Sequence, residues 1–339
     1  MKRPTLHDVA AEAQVSIKTV SRVVNSEGNV SDGVRERVLV AVEKLHYVPN
    51  TLARSLKVGL GDTIGVVIDA IHDPFFASLT SAVETTALEA GLNVVFGSTG
   101  YDVERERRQV DRMVMQQVRG VVLAPVRGDH GWLAGYRQRV PVVLVDRGVD
   151  DDGYDTVVVD DYGATRNGVE HLISHGHRRI AFVGGDSRYD TITQRMRGYR
   201  DCLADAGIEV EERLISHDDA ETTQAESAML EMLEQNPDVT AVFSANTRAS
   251  LGVVHGLHSA RRTDVAMVSF GDFLLAETLQ PGVTAIDHDP AVIGRVATAH
   301  LLARLGLGTD GVTPDQAAER VVVPTRLVQR GSGEIEVPR

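Results

Sequence analysis

The chain has 339 residues, 42% of them hydrophobic and 24% charged, and a formal net charge of −13 at pH 7. This length exceeds what one hydrophobic core usually supports, so we expect two or three folding units. No apolar run is long enough to cross a bilayer and no apolar signal core follows the first residues, which excludes a membrane protein and favours the cytoplasm.

Charge differs sharply between the two ends of the chain. Residues 1–60 carry nine Lys or Arg and six Asp or Glu, a net charge of plus three. Subtracting these from the totals of 35 and 48 leaves 26 basic and 42 acidic residues, a net charge of minus sixteen for the remainder. Because phosphates would repel the acidic part, only the amino-terminal segment suits a polyanion such as DNA.

The first two predicted elements are short helices with clear start signals. Thr5 can cap a helix over residues 6–13, with Asp8 in the place of the capping-box acid. Ser16 can cap a second helix over residues 17–24, whose valines fall on one face at helical spacing while its polar residues fall on the other.

A third helix and a linker complete the amino-terminal segment. The helix follows Ser31 and ends before Pro49, because proline cannot continue a helix. Residues 50–57 lie between that proline and the sequence Gly59-Leu60-Gly61, which predicts a marginal helix beside a flexible linker. Three amphipathic helices in so few residues give a minimal core.

From Thr63 onward, apolar runs alternate with helical stretches, a pattern typical of strands that are buried on both faces. Such alternation predicts a doubly wound α/β region long enough for two parallel sheets. In open sheets, ligands bind beyond the carboxyl ends of the strands, so we expect a cleft between the two halves. The predicted strands are 64–68, 93–96, 121–124, 142–145, 180–183, 241–243, 265–268 and 283–286.

Several motifs together resemble those of the lactose and galactose repressor (LacI/GalR) family. They occur in the family's order over nearly the whole chain. The amino-terminal motifs are Thr5-Leu6-His7-Asp8-Val9-Ala10, Val15-Ser16-Ile17-Lys18-Thr19-Val20-Ser21-Arg22-Val23-Val24-Asn25, Tyr47-Val48-Pro49-Asn50 and Ala53-Arg54-Ser55-Leu56-Lys57. Those of the body are His175-Gly176-His177-Arg178-Arg179-Ile180-Ala181, Arg195, Gly198-Tyr199 and Pro324-Thr325-Arg326-Leu327-Val328-Gln329-Arg330-Gly331-Ser332.

The resemblance implies a fold and an assembly. The expected fold is α/β: a three-helix helix-turn-helix domain and hinge, followed by a type I periplasmic-binding-protein-like body of two Rossmann-like subdomains. The expected partners are double-stranded operator DNA and a second copy of the chain, since twofold protein symmetry matches paired half-sites. The expected boundaries are 1–48 for the DNA-binding domain, 49–61 for the hinge and 62–339 for the body, with subdomains 62–160 plus 290–320 and 161–289 plus 321–339.

The second helix carries the predicted DNA-reading residues. A helix in the major groove reads bases with exposed side chains near its amino end, while short hydroxyl residues hold phosphates. Lys18 and Arg22 can donate to guanine and Ile17 can pack against a thymine methyl group. Hydroxyl residues suited to phosphate are Ser16, Thr19, Ser21 and Ser31, and the predicted set also includes Thr5, Leu6 and Asn25, although Asn25 can simply end the helix.

The resemblance assigns a second DNA contact to the hinge. In the family, this segment becomes helical on DNA, pairs with its dimer mate and wedges a leucine into the minor groove. That role falls on Leu56, with Ala53 beside it and Asn50 at the start of the hinge. The alternative is that Leu56 packs against its own body.

Polar and aromatic residues at the predicted strand ends suit a sugar-sized ligand, because carboxylates, amides and guanidinium groups recognise hydroxyls. The predicted ligand residues are Asp73, Phe75, Phe76, Arg147, Asp160, Arg195, Asn246 and Asp272. The acids favour a neutral sugar or glycoside, whereas Arg147, Arg195 and Arg248 leave a sugar acid or phosphate open. Two motifs depart from the family pattern, Asn246-Thr247-Arg248 in place of Asn-Asp and Ser269-Phe270-Gly271-Asp272 in place of Gly-Phe-Asp-Asp, so the ligand cannot be transferred from a known member.

Several sequence patterns match motifs of dinucleotide or metal sites that we do not expect in this protein. The GxGxxG match at 306–311 follows a helix rather than a strand, which argues against dinucleotide binding. His171, His175 and His177 end a helix in a stretch typical of the family, and the single Cys202 excludes a zinc site of paired thiolates. We therefore expect no catalytic residues, no metal and no cofactor.

Two other functions are compatible with the predicted body. A solute-binding protein for sugar transport would share its fold but would need an export signal and would have no use for the first sixty residues. A sugar-active α/β enzyme could use the cleft carboxylates, and turnover rather than binding of candidate sugars would identify it. Neither alternative explains the amino-terminal motifs, which favour a sequence-specific DNA-binding transcriptional regulator, most simply a repressor.

Overall fold

The computed structural model describes residues 4–24, 28, 30–47, 61–185, 189–217, 221–308 and 316–337. The chain forms two compact units, Met1–Gly61 and Asp62–Arg339. Within the described ranges, no helix combines the length and apolar character that a membrane span requires. The predicted hinge residues Asn50, Ala53 and Leu56, together with Asn25, lie outside the described residues.

The amino-terminal unit contains three helices, α1 (Leu6–Ala13), α2 (Ile17–Val24) and α3 (Asp32–Lys44). Thr5 and Asp8 form the predicted capping box, in which Thr5 N donates to the Asp8 carboxylate at 2.7 Å. The core consists of residues from all three helices and the turn after α3, and the valines of α2 belong to it or pack against it, as their spacing predicts. Its buried residues are Val9, Ala10, Ala13, Val20, Val23, Val38, Ala41 and Tyr47.

The first subdomain of the body is built on a six-stranded parallel sheet with the order β10-β5-β4-β3-β1-β2. Three helices pack on it, and the last of them returns from late in the sequence to lie against the first. The elements are β1 (Thr63–Ile68), α4 (Pro74–Glu89), β2 (Asn93–Ser98), α5 (Val103–Met115), β3 (Val121–Leu123), β4 (Val142–Val145), β5 (Asp155–Val159), α10 (Pro290–Arg304) and β10 (Arg320–Val323).

The second subdomain is built on a five-stranded sheet with the order β11-β9-β8-β7-β6. All neighbouring strands run parallel except β11, which is antiparallel to β9. Its elements are α6 (Asp161–Ser174), β6 (Ile180–Val183), α7 (Asp190–Asp205), α8 (Thr222–Gln235), β7 (Ala241–Ser244), α9 (Thr247–Ser259), β8 (Ala266–Phe270), β9 (Thr284–Asp287) and β11 (Arg326–Val328).

The chain passes between the two subdomains three times. The first crossing lies between β5 and α6 and the second between β9 and α10, close to the expected residues 160 and 289. The third lies at Pro324–Thr325 rather than at the expected residue 321. It comes later because Arg320–Val323 pairs with Thr156–Val159 as the edge strand of the first sheet.

Candidate functional site

One face of α2 presents polar and cationic side chains to solvent. Lys18 and Arg22 are exposed, and Ile17 is 40% exposed, while Val20 and Val23 on the opposite face are buried. Removal of the valines from water fixes the orientation of the helix, and this orientation leaves the two cations outside. The predicted base-reading residues therefore share one solvent-facing surface.

The predicted hydroxyl residues have different surroundings in the amino-terminal unit. Ser16 is exposed at the start of α2, where its Oγ accepts from Thr19 N at 3.1 Å and lies 2.8 Å from Thr19 Oγ1. Ser21 and Leu6 are partly buried, whereas Thr5 and Ser31 are exposed. The Thr5 hydroxyl donates to Asp8 at 2.7 Å, so it combines exposure with its capping role.

A cavity of about 330 Å³ opens in the body at the carboxyl ends of the strands, between the two sheets. Its walls come from both subdomains, and they include six of the eight predicted ligand residues: Asp73, Phe75, Phe76, Arg147, Arg195 and Asn246. Asp73 and Asn246 also cap α4 and α9, by accepting from Phe75 N at 3.0 Å and from Ala249 N at 2.9 Å.

The two other predicted ligand residues, Asp160 and Asp272, are not among the residues that line this cavity. Asp160 is exposed and caps α6, because its Oδ1 accepts from Gly163 N at 2.9 Å. Asp272 accepts two hydrogen bonds from Arg330, at 2.7 and 2.6 Å. Burial alone would raise the pKa of Asp272, but these hydrogen bonds lower it below its usual value. Both carboxylates thus serve local structure.

Arg195 is fixed on the second subdomain. Its Nε donates to Asp161 Oδ1 at 2.7 Å, its Nη1 donates to the carbonyl oxygen of Ala245 at 2.7 Å, and its guanidinium lies 3.6 Å from the centre of the Phe270 ring. Burial raises the pKa of Asp161 to about 6, although the positive charge of Arg195 opposes the shift. The carboxylate that holds the cavity-lining Arg195 is therefore Asp161, one residue beyond the predicted Asp160.

Arg147 is fixed mainly by the first subdomain. It donates to Asp69, and its Nε lies 3.3 Å from Asp146 Oδ2. Burial raises the pKa of Asp69, and Arg147 opposes that shift. The guanidinium also lies 4.9 Å from the ring centre of Tyr189, which precedes α7 in the other subdomain.

Arg248 lies at the start of α9 and meets two carboxylates. Its Nε is 3.1 Å from Asp73 Oδ2, and its Nη1 donates to Glu221. The guanidinium also lies 5.1 Å from the ring centre of Tyr101. Burial raises the pKa of Asp73, while Arg248 opposes the shift.

These pairs balance the charge of the cavity lining. Its acids are Asp69, Asp73, Asp146 and Glu221, and its bases are Arg127, Arg147, Arg195 and Arg248. Four carboxylates thus face four guanidinium groups, and three of the guanidinium groups already contact protein carboxylates. The formal charge of the lining is zero, so the cavity offers little net attraction to an anionic ligand.

Aromatic rings form another wall of the cavity. Phe75 stacks on His288, with ring centres 5.1 Å apart and an interplanar angle of 6°. Phe76 meets the edge of Phe75 but is only 3% exposed and belongs to the core, so Phe75 is the more accessible ring. Burial lowers the pKa of His288 to about 4, which keeps this ring neutral near pH 7.

Several residues that line the cavity were not predicted from the sequence. Asp69, Asp146 and His288 each follow a strand directly, so the rule that ligands bind beyond strand ends could have identified them. Other missed residues come from loops and from the starts of helices, where the sequence gives no such signal. They are Tyr101, Arg127, Gly185, Tyr189, Thr191, Ile192, Glu221 and Gln224.

The described residues contain no cluster of three or more His, Cys, Asp or Glu side chains that could hold a metal ion. His171 pairs with Glu334 at 2.6 Å, and His177 Nε2 lies 2.7 Å from the carbonyl oxygen of Ile335. These histidines therefore attach the carboxyl-terminal segment to the second subdomain.

Comparison with known proteins adds independent evidence. Residues 5–50 match the family described as bacterial regulatory proteins of the lacI family, and residues 61–318 match the periplasmic binding proteins and sugar binding domain of LacI family. The transcriptional regulator CelR of Thermobifida fusca is 34% identical over 98% of this chain and 99% of its own length. The ribose operon repressor of Escherichia coli K12 is 30% identical over 97% of this chain and 99% of its own length.

Solved structures agree with these matches. A complex of CelR with cellobiose has a TM-score of 0.70 and 31% identity, and it covers 97% of this chain and all of its own. A lac repressor dimer bound to operator and an anti-inducer has a TM-score of 0.84 and 25% identity, covering 98% of this chain and 99% of its own.

Proposed function

Because this chain belongs to the LacI family of bacterial regulatory proteins, we propose that it represses transcription from a roughly palindromic operator, under the control of a neutral sugar bound in the body. It is a DNA-binding transcriptional regulator and not an enzyme. The relatives that it resembles over 97–98% of its length are also named as transcriptional regulators. Its site of action is the bacterial cytoplasm, where the operator DNA lies.

The operator-reading surface is the exposed face of α2. Lys18 and Arg22 are exposed cations on a helix whose valines are buried, and the first sixty residues carry the only positive net charge of the two regions. The lac repressor neighbour, solved as a dimer on its operator, supports this assignment. Footprinting of genomic DNA with the purified protein will identify the operator, and a footprint without two related half-sites would contradict the proposal.

The balanced charge of the cavity carries the effector proposal. Arg147, Arg195 and Arg248 each contact protein carboxylates, so an acidic sugar would have to compete with those partners. A volume of about 330 Å³ lies near the lower end of the range for small-molecule sites, roughly 300–1,000 Å³, and suits a mono- or disaccharide. Phe75 and His288 offer flat surfaces for the apolar face of a sugar ring.

The effector test is calorimetric titration of the protein with neutral sugars, sugar acids and sugar phosphates. Cellobiose is the first probe, because the similar CelR structure contains it. We expect a neutral sugar to bind and to change operator affinity. Binding of a sugar acid or phosphate alone would overturn the neutral assignment, and Arg195→Ala should bind the same sugar at least about tenfold more weakly, as expected for a lost charged contact.

A homodimer is the proposed assembly. Leu274 is 88% exposed and Leu275 is 61% exposed in the loop between β8 and β9, and Leu275 has a positive φ of 71°. Two neighbouring exposed leucines on strained backbone fit an interface that a second copy covers. Sedimentation of Leu274→Glu should show monomers at concentrations where the unaltered chain is dimeric, and Leu88→Glu on α4 is a matched exposed control, 56% exposed in the unaltered chain. An unchanged dimer in Leu274→Glu would place the interface elsewhere.

A further inference from the structure

Contacts between protein side chains bridge the cavity at one end. Arg248 belongs to α9 of the second subdomain, whereas its partners Asp73 and Tyr101 follow β1 and β2 of the first. The sequence departs from the family pattern here, since Asn246 is followed by Thr247 and Arg248 instead of aspartate.

The bridge continues through a second cation–aromatic pair. Tyr101 meets Tyr189 edge to face, with ring centres 6.0 Å apart, and Arg147 lies 4.9 Å from the centre of the Tyr189 ring. The order Arg248, Tyr101, Tyr189, Arg147 therefore alternates between the second and first subdomains. We call these four residues the cross-cleft stack.

Burial makes the stack stronger than a surface contact. Arg147 and Arg248 are each 8% exposed, and cation–aromatic and ion-pair contacts strengthen when water is excluded. The Tyr101 hydroxyl is buried and has no hydrogen-bond partner among the described residues, so this side chain contributes its ring to the stack. Separating the subdomains would break the Arg248–Asp73 pair, the Arg248–Tyr101 contact and the Tyr101–Tyr189 contact together.

Arg248 also has a partner on its own side. Glu221 accepts from Arg248 Nη1 and lies at the start of α8, in the same subdomain as α9. A rigid movement of one subdomain against the other would leave this pair intact. The two carboxylates around one guanidinium thus differ in a testable way, because only Asp73 lies across the cleft.

We propose that Arg248 is a positioning residue that fastens the two subdomains across the cavity through Asp73 and the cross-cleft stack, and thereby sets the affinity for the effector. We call the arrangement in which the two subdomains contact each other across the cavity the closed arrangement. Because these side chains favour it without a ligand, the effector has less conformational freedom to remove when it binds. The effect on affinity rests on the proposed function, whereas the effect on subdomain separation does not.

The test measures the distance between two spin labels in the full-length protein without added sugar. Labels are attached to cysteines at the exposed positions Ala299 on α10 and Glu231 on α8, in a chain whose buried Cys202 is changed to serine. Labelled chains are diluted into unlabelled chains, so that each measured distance lies within one chain.

We expect Asp73→Asn and Arg248→Ala to lengthen and broaden this distance, while Glu221→Gln leaves it unchanged. The amide introduced by Asp73→Asn keeps an oxygen for the cap of α4, so this variant isolates the ion pair from helix stability. Tyr101→Phe should retain the unaltered distance and Tyr101→Leu should lengthen it. Equal distances for Asp73→Asn and Glu221→Gln would overturn the proposal, as would an unchanged distance in Tyr101→Leu.

Titration with cellobiose gives the second measurement. If the closed fraction of the free protein falls to about a tenth, the apparent Kd for a closed-state ligand rises about tenfold, so we expect a rise of this size in Asp73→Asn. Arg248→Lys, which keeps the charge but not the planar stack, should restore part of the affinity lost in Arg248→Ala. If the distance lengthens but the unaltered protein does not bind cellobiose, this choice of effector is wrong and the fastening across the cleft is still supported. If the distance lengthens and the affinity for cellobiose is unchanged, the fastening does not set the affinity for the effector.

Discussion

The amino-terminal unit and the body handle charged residues in opposite ways. Over residues 4–24 and 30–47, every buried side chain is apolar except for the Tyr47 hydroxyl, and the cations of α2 lie outside. The body buries charged groups, among them Asp69, Arg147, Arg195 and Arg248. The two regions recognise different partners, and the placement of charge follows from the partner in each case.

A polyanion can be recognised from a convex surface, because phosphates attract exposed cations and base edges are reached by the side chains of one helix. A small polar ligand must instead be enclosed, and its hydroxyls need polar groups that are held in place within a dry cavity. Exposed cations need no carboxylate partners, whereas buried ones do. Loss of a charged residue should therefore impair binding alone in the first region, and stability as well in the second.

The largest effect should come from Arg195→Ala in the body. This change leaves Asp161, which is 8% exposed, without its guanidinium partner, and removal of one member of a buried pair costs about 3 to 5 kcal/mol. Urea unfolding of the body measures the loss. Arg197→Ala on the same helix is the control, since Arg197 is 66% exposed and 3.6 Å from Asp201, and exposed pairs contribute about 0 to 1 kcal/mol. Equal losses in the two variants would contradict the contrast between the regions.

A smaller effect, confined to DNA binding, should follow from Arg22→Ala in the amino-terminal unit. One bidentate base contact contributes about 1 to 3 kcal/mol of discrimination, so the preference for operator over random DNA should fall by that amount. The free energy of unfolding should stay within about 0.5 kcal/mol of the unaltered value, because Arg22 is exposed. Titration of both DNAs with fluorescence anisotropy measures the ratio.

Arg37→Ala is the matched control for that experiment, since Arg37 is an exposed cation on α3 rather than α2. It should leave the ratio of the two affinities unchanged. If Arg22→Ala weakens binding to operator and random DNA equally, Arg22 is a phosphate contact and the base-reading assignment is wrong.

The smallest effects should appear in the pH dependence of body stability, where two buried groups oppose each other. The pKa of Asp161 is raised to about 6 from 3.8, so the native state binds more protons than the unfolded state between these values, and stability falls as pH rises. The pKa of His288 is lowered to about 4 from 6.5, so the unfolded state binds more protons, and stability rises with pH. Between pH 5 and 7, each group changes the free energy of unfolding by about 1 to 2 kcal/mol.

Urea unfolding at pH 5, 6 and 7 separates the two groups. Asp161→Asn removes the contribution that falls with pH, so this variant should lose more stability on acidification than the unaltered body. His288→Asn removes the other contribution and should change the slope in the opposite direction. If the free energy of unfolding depends on pH equally in the two variants, Asp161 and His288 do not have opposite effects on stability.

The sequence by itself determined the class of fold, the helix-turn-helix and eight of the eleven strands, β1 to β4 and β6 to β9. Those features arise from local periodicity and capping, which neighbouring residues specify. The strands β5, β10 and β11 were not predicted. Both β10 and β11 are short strands at sheet edges whose partners lie far along the chain. The strand β5 begins with the polar residues Asp155 and Thr156, which limit its apolar run to three valines.

Only the tertiary structure decided which polar residues meet in the cavity. Asp160 and Asp161 are neighbours in sequence, yet the former caps α6 in solvent and the latter pairs with Arg195, because their side chains point differently at the first crossing. The tertiary structure also decided where α7 packs closely against α6. At this contact a Cβ on Gly198 would lie 2.6 Å from the carbonyl oxygen of Tyr162. Contacts between distant segments depend on the packing of whole elements, and local sequence patterns carry no record of that packing.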